Sequence, residues 1–278
     1  MNKPRDDYLC GVTKRAQSRL SILNAANQEH INVLLNKLDM HPGMCVLDVA
    51  CGTGDITCQI AEKFPDVKVV GIDFSEEQTK VARENAASKK LSNVRFIVMS
   101  AYDILTLRET YQFDRIFIRW VLGHLKDPHI VIESCKGLLK PHGIIVCEEG
   151  DIQTHHCESA NQSFLQCYGF FVSNILNLQK KRGVDAEIGA KLPSMFRAIF
   201  KDEATIETEC HQLTLDKLEQ KEAVTTYFLD EVGQKFMDEN VLTLQQLNEL
   251  KSNLDVIVHE NEAKILYTAD IAVIVKLR

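Results

Sequence analysis

The amino-acid sequence predicts an α/β fold in which a mostly parallel sheet is covered by helices on both faces. Short, almost fully apolar runs alternate with helical patterns between residues 44 and 148, as expected for strands that are buried on both sides. A glycine-rich turn, Gly52-Thr53-Gly54, follows the first of these runs. The 278 residues, 45% of them hydrophobic, suffice for one large α/β domain with insertions.

The elements of this alternation follow one another in a regular order. A helical pattern covers residues 16–40, and the turn His41-Pro42-Gly43 ends it. The predicted strands are Met44–Val49, Val67–Ile72, Val94–Met99, Phe113–Trp120 and Ile144–Glu148. The helices between them are Asp55–Phe64, a helix capped by Ser75 that runs to Lys90, and Pro128–Leu139, which precedes the turn Lys140-Pro141-His142-Gly143.

The alternation stops after the fifth strand. Residues 157–181 have a helical pattern with one continuous apolar face, formed by Phe164, Tyr168, Phe171, Ile175 and Leu178. A strand at Ala204–Leu213, helices at Leu215–Met237 and Leu242–His259, and a strand at Ile265–Val275 follow. We therefore predict an N-terminal helical cap at 1–40, an α/β core at 41–151, a helical lid at 152–203 and a C-terminal segment at 204–278 that completes the sheet.

Composition excludes several classes of protein. The net charge of −7 disfavours a nucleic-acid partner, which usually requires a basic face. The nine cysteines contain no CxxC pair and lie mostly in apolar stretches, as reduced thiols do. The N-terminal residues do not resemble a signal peptide, and no apolar run is long enough to span a bilayer. We expect a cytoplasmic protein without a membrane span.

The glycine-rich turn predicts a ligand site at the carboxyl edge of the sheet. Glycines there let the backbone approach a ligand closely. Asp55 follows Gly54, so the third glycine of the dinucleotide fingerprint is absent and a carboxylate stands where a pyrophosphate would bind. This disfavours an NAD-dependent oxidoreductase. Asp48, at the end of the first strand, suits a cationic ligand; a tight strand-to-helix turn in an unrelated α/β protein is the alternative.

Two further acids follow the next two strands. Asp73 lies about 20 residues beyond the glycine turn, where an acid binds ribose hydroxyls in nucleotide-binding folds. Its alternative, a helix-capping role, is weakened because Ser75 can act as the cap. Phe74 can pack on an adenine ring. Asp103 follows the third strand and can accept a hydrogen bond from an exocyclic amine, or it is a solvated loop acid.

These motifs together resemble those of class I S-adenosylmethionine (SAM)-dependent methyltransferases. The resemblance lies in Val46–Asp55, Gly71–Ser75, Ala101–Asp103 and Phe113–Pro128, and it covers residues 8–150. It is greatest to the bacterial small-molecule branch that includes ubiquinone/menaquinone-biosynthesis methyltransferases. The resemblance implies a Rossmann-like, seven-stranded, mostly parallel sheet with an antiparallel last strand and a helical lid insertion.

The resemblance also implies SAM as the cofactor and S-adenosylhomocysteine (SAH) as its product. The segment with Tyr8 and Arg19 is similar to one that closes over SAM in that branch. The residues expected to bind the cofactor are Tyr8, Arg19, Asp48, Ala50, Gly52, Gly54, Asp73, Phe74, Gln78, Ala101, Tyr102, Asp103 and Arg119.

Candidate catalytic residues lie at the same edge of the sheet. A general base is needed only if the acceptor must lose a proton, and His124 and Glu149 are the candidates. His124 can instead be a helix-start histidine bonded to the backbone. No metal site is expected, because His155 and His156 more often lie on a solvated helix face. The predicted acceptor pocket is formed by Trp120, Phe164, Tyr168 and Phe171, although this aromatic stripe is equally typical of a core.

We therefore expect a methyltransferase acting on an oxygen, nitrogen or carbon atom of a small molecule, as a monomer or homodimer. The alternatives are a protein-directed methyltransferase and a non-catalytic SAM-binding protein. The segment Ile118-Arg119-Trp120-Val121 lacks the proline pair that amino-directed DNA methyltransferases carry after the fourth strand.

Overall fold

The computed structural model describes Leu9 and residues 13–278, and it confirms the alternation of strands and helices. The strands are β1 Cys45–Val49, β2 Lys68–Asp73, β3 Val94–Val98, β4 Phe113–Arg119, β5 Leu139–Asp151, β6 His156–Glu158, β7 Ala204–Leu215 and β8 Lys264–Leu277. The α-helices are α1 Lys14–Ala26, α2 Gln28–Lys37, α3 Asp55–Lys63, α4 Glu76–Ser88, α5 Pro128–Leu138, α6 Gln162–Arg182, α7 Ile188–Phe200, α8 Leu218–Val224, α9 Thr226–Asp238 and α10 Leu244–His259.

The sheet has the mixed topology that the sequence predicted. Its hydrogen-bonded order is β3-β2-β1-β4-β5-β8-β6, with β7 also paired to β8. Strands β1 to β5 are parallel to one another. The last strand is antiparallel to β6. The order changes direction between β1 and β4, and in open α/β sheets this switch point is where ligands bind.

Strand β6 is a correction to the predicted topology. The helical pattern placed residues 157–158 at the start of a long helix, but they pair with β8 instead. Helix α6 begins at Gln162, after Asn161, whose side chain accepts the N–H of Ser163. An asparagine cap satisfies a donor that the first turn of a helix leaves unpaired, and it therefore sets the start of the helix.

Two predicted long helices are each divided in two. The pattern over 16–40 is interrupted at Asn27, whose N–H closes the last turn of α1. The pattern over 215–237 is interrupted at Thr225, which has φ −120° and ψ −87° and whose hydroxyl donates to the carbonyl of Lys221. The threonine hydroxyl competes with the helical backbone for hydrogen bonds, and at Asn27 the bonded group is the backbone N–H, so apolar periodicity alone did not reveal either break.

The predicted turn at residues 140–143 lies within β5. The pairing of β4 with β5 jumps from Leu139 to Ile144, so these residues form a bulge, and His142 has a φ of 60°. The predicted turn is therefore present as a bulge within strand β5.

The chain folds into two compact units. The first, here called the α/β unit, contains Glu29–Glu149, Ala190–Glu209 and Ile271–Arg278. Its main core lies on one face of the sheet, where Ile31, Leu34 and Leu35 of α2 belong to the same buried cluster as Phe117 and Ile274. A second cluster contains Cys58, Ala82, Ala86 and Phe96. Burial of each large side chain contributes roughly 1.5–3 kcal/mol.

The second, here called the helical unit, contains the described residues up to Gln28, Gly150–Gly189 and Cys210–Asp270. Its core includes Tyr168 and Phe171 of α6 together with Leu229 and Phe236 of α9 and Leu254 of α10, all buried. Each unit is built from segments that are separated in sequence. The sequence pattern instead divided the chain into four consecutive segments, and that functional division stays a prediction. Within the described part of the chain, no helix has the length and hydropathy of a membrane span.

Candidate functional site

The candidate site lies at the carboxyl ends of β1 and β4, at the switch point of the sheet. Ala50 follows β1 with a φ of 60°, and Trp120 follows β4 with a φ of 54°. Residues other than glycine rarely adopt this left-handed conformation, which costs on the order of 1 kcal/mol or more and is concentrated at functional sites. Both strands therefore end in a strained residue at the edge where ligands bind.

The glycine turn after β1 is closely packed against neighbouring side chains. Gly52 has a φ of 55°, and Gly54, which begins α3, has a φ of 77°. A Cβ on Gly54 would lie 2.8 Å from Cβ of Ala82 and 2.9 Å from Cζ of Phe96. A Cβ on Gly52 would lie 3.1 Å from Oε1 of Gln78. Positive φ favours glycine at both positions, and at Gly54 an added Cβ would also clash with Ala82 and Phe96.

Asp73 binds the glycine turn itself. Its Oδ2 accepts the N–H of Gly52 at 2.9 Å, and its Oδ1 accepts the N–H of Ser75 at 2.9 Å. Burial raises the pKa of this carboxyl, and the two N–H donors oppose the rise. Ser75 caps α4 as predicted, since its Oγ accepts the N–H of Gln78. Asp73 therefore has a structural role that its position in the sequence did not reveal, although each carboxylate oxygen has a second lone pair for a ligand.

Asp48 is buried at the end of β1 and accepts a hydrogen bond from Thr57. The hydroxyl of Thr57, in the first turn of α3, lies 2.5 Å from Oδ2 of Asp48. The pKa of Asp48 is raised to about 6, chiefly by burial; the bond from Thr57 opposes this rise, the charge of Asp73 adds to it, and the charge of Arg119 opposes it. Thr57 was not among the predicted site residues, because nothing in its local pattern shows that it points back toward β1.

Arg119, at the end of β4, lies against a buried carboxylate and an aromatic ring. Its Nε donates to Oε2 of Glu148 at 2.6 Å, and its guanidinium carbon lies 3.4 Å from the centre of the Trp120 ring. The other oxygen of Glu148 accepts from Nε2 of His30 on α2. Burial raises the pKa of Glu148, but His30 and Arg119 outweigh it, so that the net shift is downward. His30, which is 118 residues from Glu148, was not among the predicted site residues.

Glu149 fixes the short 3₁₀ helix Leu122–His124. Its Oε1 accepts the N–H groups of Val121 at 2.8 Å and Leu122 at 2.7 Å, and Oε2 lies 3.4 Å from the N–H of Gly123. Burial raises the pKa of Glu149 to about 7 against these donors. The N–H of His124 donates to the carbonyl of Val121 at 2.9 Å. Of the two predicted catalytic residues, Glu149 thus holds the backbone that carries His124.

The remaining cofactor-site predictions in the α/β unit lie after β2 and β3. Phe74 is 42% exposed, and Gln78 is buried beside Gly52. Ala101, Tyr102 and Asp103 begin the 3₁₀ helix Ala101–Glu109, which Ser100 caps. The hydroxyl of Tyr102 accepts the N–H of Asp127. These residues follow parallel strands and so belong to the same edge as the glycine turn.

Other predicted site residues belong to the helical unit. Arg19 is buried, and its Nε donates to both carboxylate oxygens of Glu231, at 3.0 and 3.2 Å. Tyr8 lies outside the described residues. The roles of Tyr8 and Arg19 in cofactor binding stay predictions.

Two of the three aromatic residues predicted on α6 are core residues of the helical unit. Tyr168 and Phe171 are 1% and 0% exposed and contact each other edge to face, while Phe164 is half-buried. The Tyr168 hydroxyl lies 2.7 Å from Nε2 of His155. This burial favours the core interpretation of the stripe, and the pocket role stays a prediction.

The expectation that His155 and His156 lie on a solvated face was wrong for His155. His155 is 6% exposed, and burial lowers its pKa to about 3. His156 is exposed. The two residues lie in extended chain, where successive side chains point in opposite directions, rather than on a helix. Among the residues that the structure describes, no cluster of side chains could hold a metal ion.

A comparison with protein families matches residues 40–228 to the family described as "Methyltransferase domain". Curated relatives include demethylmenaquinone methyltransferases of Shouchella clausii and Geobacillus stearothermophilus. The chain is 32% identical to the first over 148 residues, which are 53% of this chain and 60% of the relative. It is 32% identical to the second over 146 residues, or 52% and 59% of the two chains. The match therefore spans about three fifths of these relatives' length.

Solved structures share the fold at low sequence identity. The YcgJ protein of Bacillus subtilis has a TM-score of 0.57 at 14% identity, with 90% of this chain and 99% of that chain covered. A Haemonchus contortus phosphoethanolamine N-methyltransferase, solved with SAH, has a TM-score of 0.53 at 16% identity and coverages of 90% and 52%. The [4+2]-cyclase SpnF has a TM-score of 0.53 at 16% identity and coverages of 90% and 80%. The fold alone therefore does not specify the reaction.

Proposed function

The chain belongs to the family of methyltransferase domains, and from that premise we propose that it transfers a methyl group from SAM to a small-molecule acceptor. The observation that carries the proposal is the arrangement around the glycine turn. The turn after β1 is bounded by Asp48 on one side and by Asp73 on the other, and the N–H of Gly52 is fixed on Asp73.

The residues of this turn fit the chemistry of SAM. The cofactor carries a sulfonium and an ammonium group, and a buried carboxylate such as Asp48 favours a cation nearby. Its ribose has two hydroxyl donors, for which Asp73 retains acceptor capacity. The absent Cβ of Gly52 leaves room for close approach. Exposed Phe74 provides a face for the adenine, and Asp103 an acceptor for its amine.

The acceptor is proposed to be small and partly apolar. The curated relatives are named for a demethylmenaquinone substrate, and Trp120 presents an aromatic ring after β4. The net charge of −7 disfavours nucleic acid as the acceptor. When SAM is bound, its sulfonium supplies an activated methyl group, so the residues of this chain have mainly to orient the acceptor and exclude water.

We assign His124 as the proton acceptor for substrates that must lose a proton. It ends the 3₁₀ helix that Glu149 holds through three backbone N–H groups, at the carboxyl end of β4. Imidazole can accept a proton near neutral pH. In this arrangement Glu149 positions the helix of His124, and its own carboxylate need not contact the acceptor.

Cofactor titration and product analysis test the proposal. Calorimetry should detect binding of SAM and SAH but not of NAD, and both should raise the melting temperature by mass action. Incubation with methyl-labelled SAM and a metabolite extract should transfer label to a small molecule that mass spectrometry identifies. Binding of NAD without SAM would overturn the cofactor assignment. If the protein binds SAM but the label appears on protein and on no small molecule in the extract, the acceptor assignment is overturned.

A further inference from the structure

Two side chains from separate elements meet at one buried carboxylate of the α/β unit. Glu148 on β5 is 0% exposed; His30 comes from α2 and Arg119 from the end of β4. Arg119 lies 2.6 Å from Oε2, and His30 is bonded to Oε1. Because an ionised carboxylate only accepts hydrogen bonds, both partners donate to it.

Glu148 depends on these donors to remain ionised inside the protein. A carboxylate without partners is strongly disfavoured in a low-dielectric interior. If His30 were removed, Oε1 would lose its donor, and Glu148 would be drawn toward its one remaining partner. The position of Arg119 is therefore coupled to His30, although no contact between these two residues is required.

Arg119 is constrained in two directions. Nε is directed at Glu148, which fixes the guanidinium within its plane, and the Trp120 ring, 3.4 Å away, supports one face. The left-handed backbone of Trp120 places that ring beside its own neighbour in sequence. An arginine held in this way has lost most of its rotamer freedom before a ligand arrives, which increases affinity for a ligand that matches its geometry.

Two adjacent strands carry opposite charges near their carboxyl ends. Asp48 is on β1 and Arg119 is on β4, and these strands are paired in parallel at Asp48↔Phe117 and Val49↔Ile118. Burial raises the pKa of Asp48, and the positive charge of Arg119 opposes that rise. The amino-acid end of SAM carries one ammonium and one carboxylate, and such a zwitterion is complementary to this pair of charges. Planar guanidinium groups bind carboxylates with directed, charge-assisted hydrogen bonds.

We propose that His30 and Glu148 are positioning residues that hold Arg119 to receive the carboxylate of the cofactor's amino-acid end. The inference rests on the proposed binding of SAM. It assigns a function to a histidine far from the glycine turn in sequence, and it predicts discrimination between cofactors that differ only in that carboxylate.

The test compares SAM with decarboxylated SAM, which retains the adenosine, the sulfonium and the ammonium. Binding of both probes is measured by calorimetry for the unaltered protein and for His30→Leu, His30→Gln and the matched control His41→Leu, which replaces an exposed histidine. His30→Leu should weaken SAM binding about tenfold or more, as expected for a misplaced charge-assisted contact, and should change the binding of decarboxylated SAM less than about twofold. His30→Gln places an amide donor where Nε2 lies and should restore most of the SAM affinity.

A structural role alone gives a different pattern. Equal weakening of both probes in His30→Leu would overturn the inference, while SAM binding by the unaltered protein would leave the proposed function standing. If His30→Leu does not fold, Glu148→Gln provides the same comparison, with melting temperatures measured alongside. A protein that binds neither probe in unaltered form would instead overturn the proposed function.

Discussion

The carboxylate of Asp73 joins the glycine turn to the start of α4 by accepting the N–H of Gly52 at 2.9 Å and that of Ser75 at 2.9 Å. One side chain therefore shapes the turn and is also the proposed partner of the cofactor's ribose. Binding and stability should respond together when it is removed, whereas a residue that only contacts the ligand would affect binding alone.

Asp73→Ala should weaken SAM binding by about 1–3 kcal/mol and also lower the free energy of unfolding by about 1–3 kcal/mol, because two buried N–H groups lose their acceptor. Calorimetry and urea denaturation measure the two effects. Asp66→Ala, which removes an exposed aspartate, is the control. Unchanged stability together with lost binding would show that the bonds to Gly52 and Ser75 are dispensable.

Two glycines with positive φ allow the effect of backbone strain to be distinguished from the effect of a side chain that obstructs the turn. Gly43 has a φ of 84°, and a Cβ added there would meet nothing within 4 Å, whereas a Cβ on Gly52 would meet Gln78. Gly43→Ala and Gly52→Ala should each lower the free energy of unfolding by about 1 kcal/mol. Only Gly52→Ala should reduce SAM affinity, by about tenfold or more, and Gly52→Val should abolish it. Equal SAM affinity in Gly43→Ala and Gly52→Val would place the cofactor elsewhere.

Glu149 makes stability depend on pH in a defined direction. Its pKa is raised from the ordinary value of 4.5 to about 7 in the folded protein. The protonated carboxyl therefore contributes stability that is fully present below pH 4.5 and is lost as the pH rises through 7. Glu149→Gln keeps an acceptor for the N–H groups of Val121 and Leu122 but cannot ionise. Between pH 5 and 8 the free energy of unfolding of Glu149→Gln should fall by about 1–3 kcal/mol less than that of the unaltered protein.

Chemical denaturation at several pH values checks this difference. Glu249→Gln, on the exposed face of α10, is the control and should follow the unaltered protein. Parallel curves for Glu149→Gln and the unaltered protein would mean that this carboxyl does not titrate in the range stated.

Tyr168 and His155 provide a test of the aromatic stripe on α6. Tyr168→Phe removes the hydroxyl bonded to His155 and should lower the free energy of unfolding by about 1–3 kcal/mol, because a buried nitrogen loses its partner. Tyr168→Ala should cost about 3–5 kcal/mol. Melting temperature, SAM affinity and acceptor turnover are measured together. Normal stability in Tyr168→Ala with reduced turnover would favour the acceptor pocket over the core.

Apolar periodicity and turn residues were sufficient to predict the five parallel strands to within a few residues, except that β5 extends farther at both ends. They failed where local hydrogen bonds end a helix and where a strand is very short. Asn27 and Thr225 end helices through local hydrogen bonds that periodicity does not register. Strand β6 spans only His156–Glu158 and has no alternating pattern long enough to detect.

The acids of the candidate site were predictable because their positions after strands place them at one edge of the sheet. Their partners were not. Thr57 reaches Asp48 from the neighbouring helix, and His30 reaches Glu148 across 118 residues of sequence. Such pairs become visible only when the tertiary fold brings them together, since no spacing rule connects them.

The position of β8 in the sheet has a consequence for the order in which the protein can fold during synthesis. β8 is made last among the strands but is hydrogen-bonded between β5 and β6, and its Ala272 and Ile274 share a buried core with Ile31 and Leu34. A nascent chain that has not yet reached β8 exposes one edge of β5 and leaves that core open to water. Contacts between residues so far apart in sequence form slowly. An incomplete sheet therefore presents an unpaired strand edge and an open core, and both features favour aggregation during synthesis.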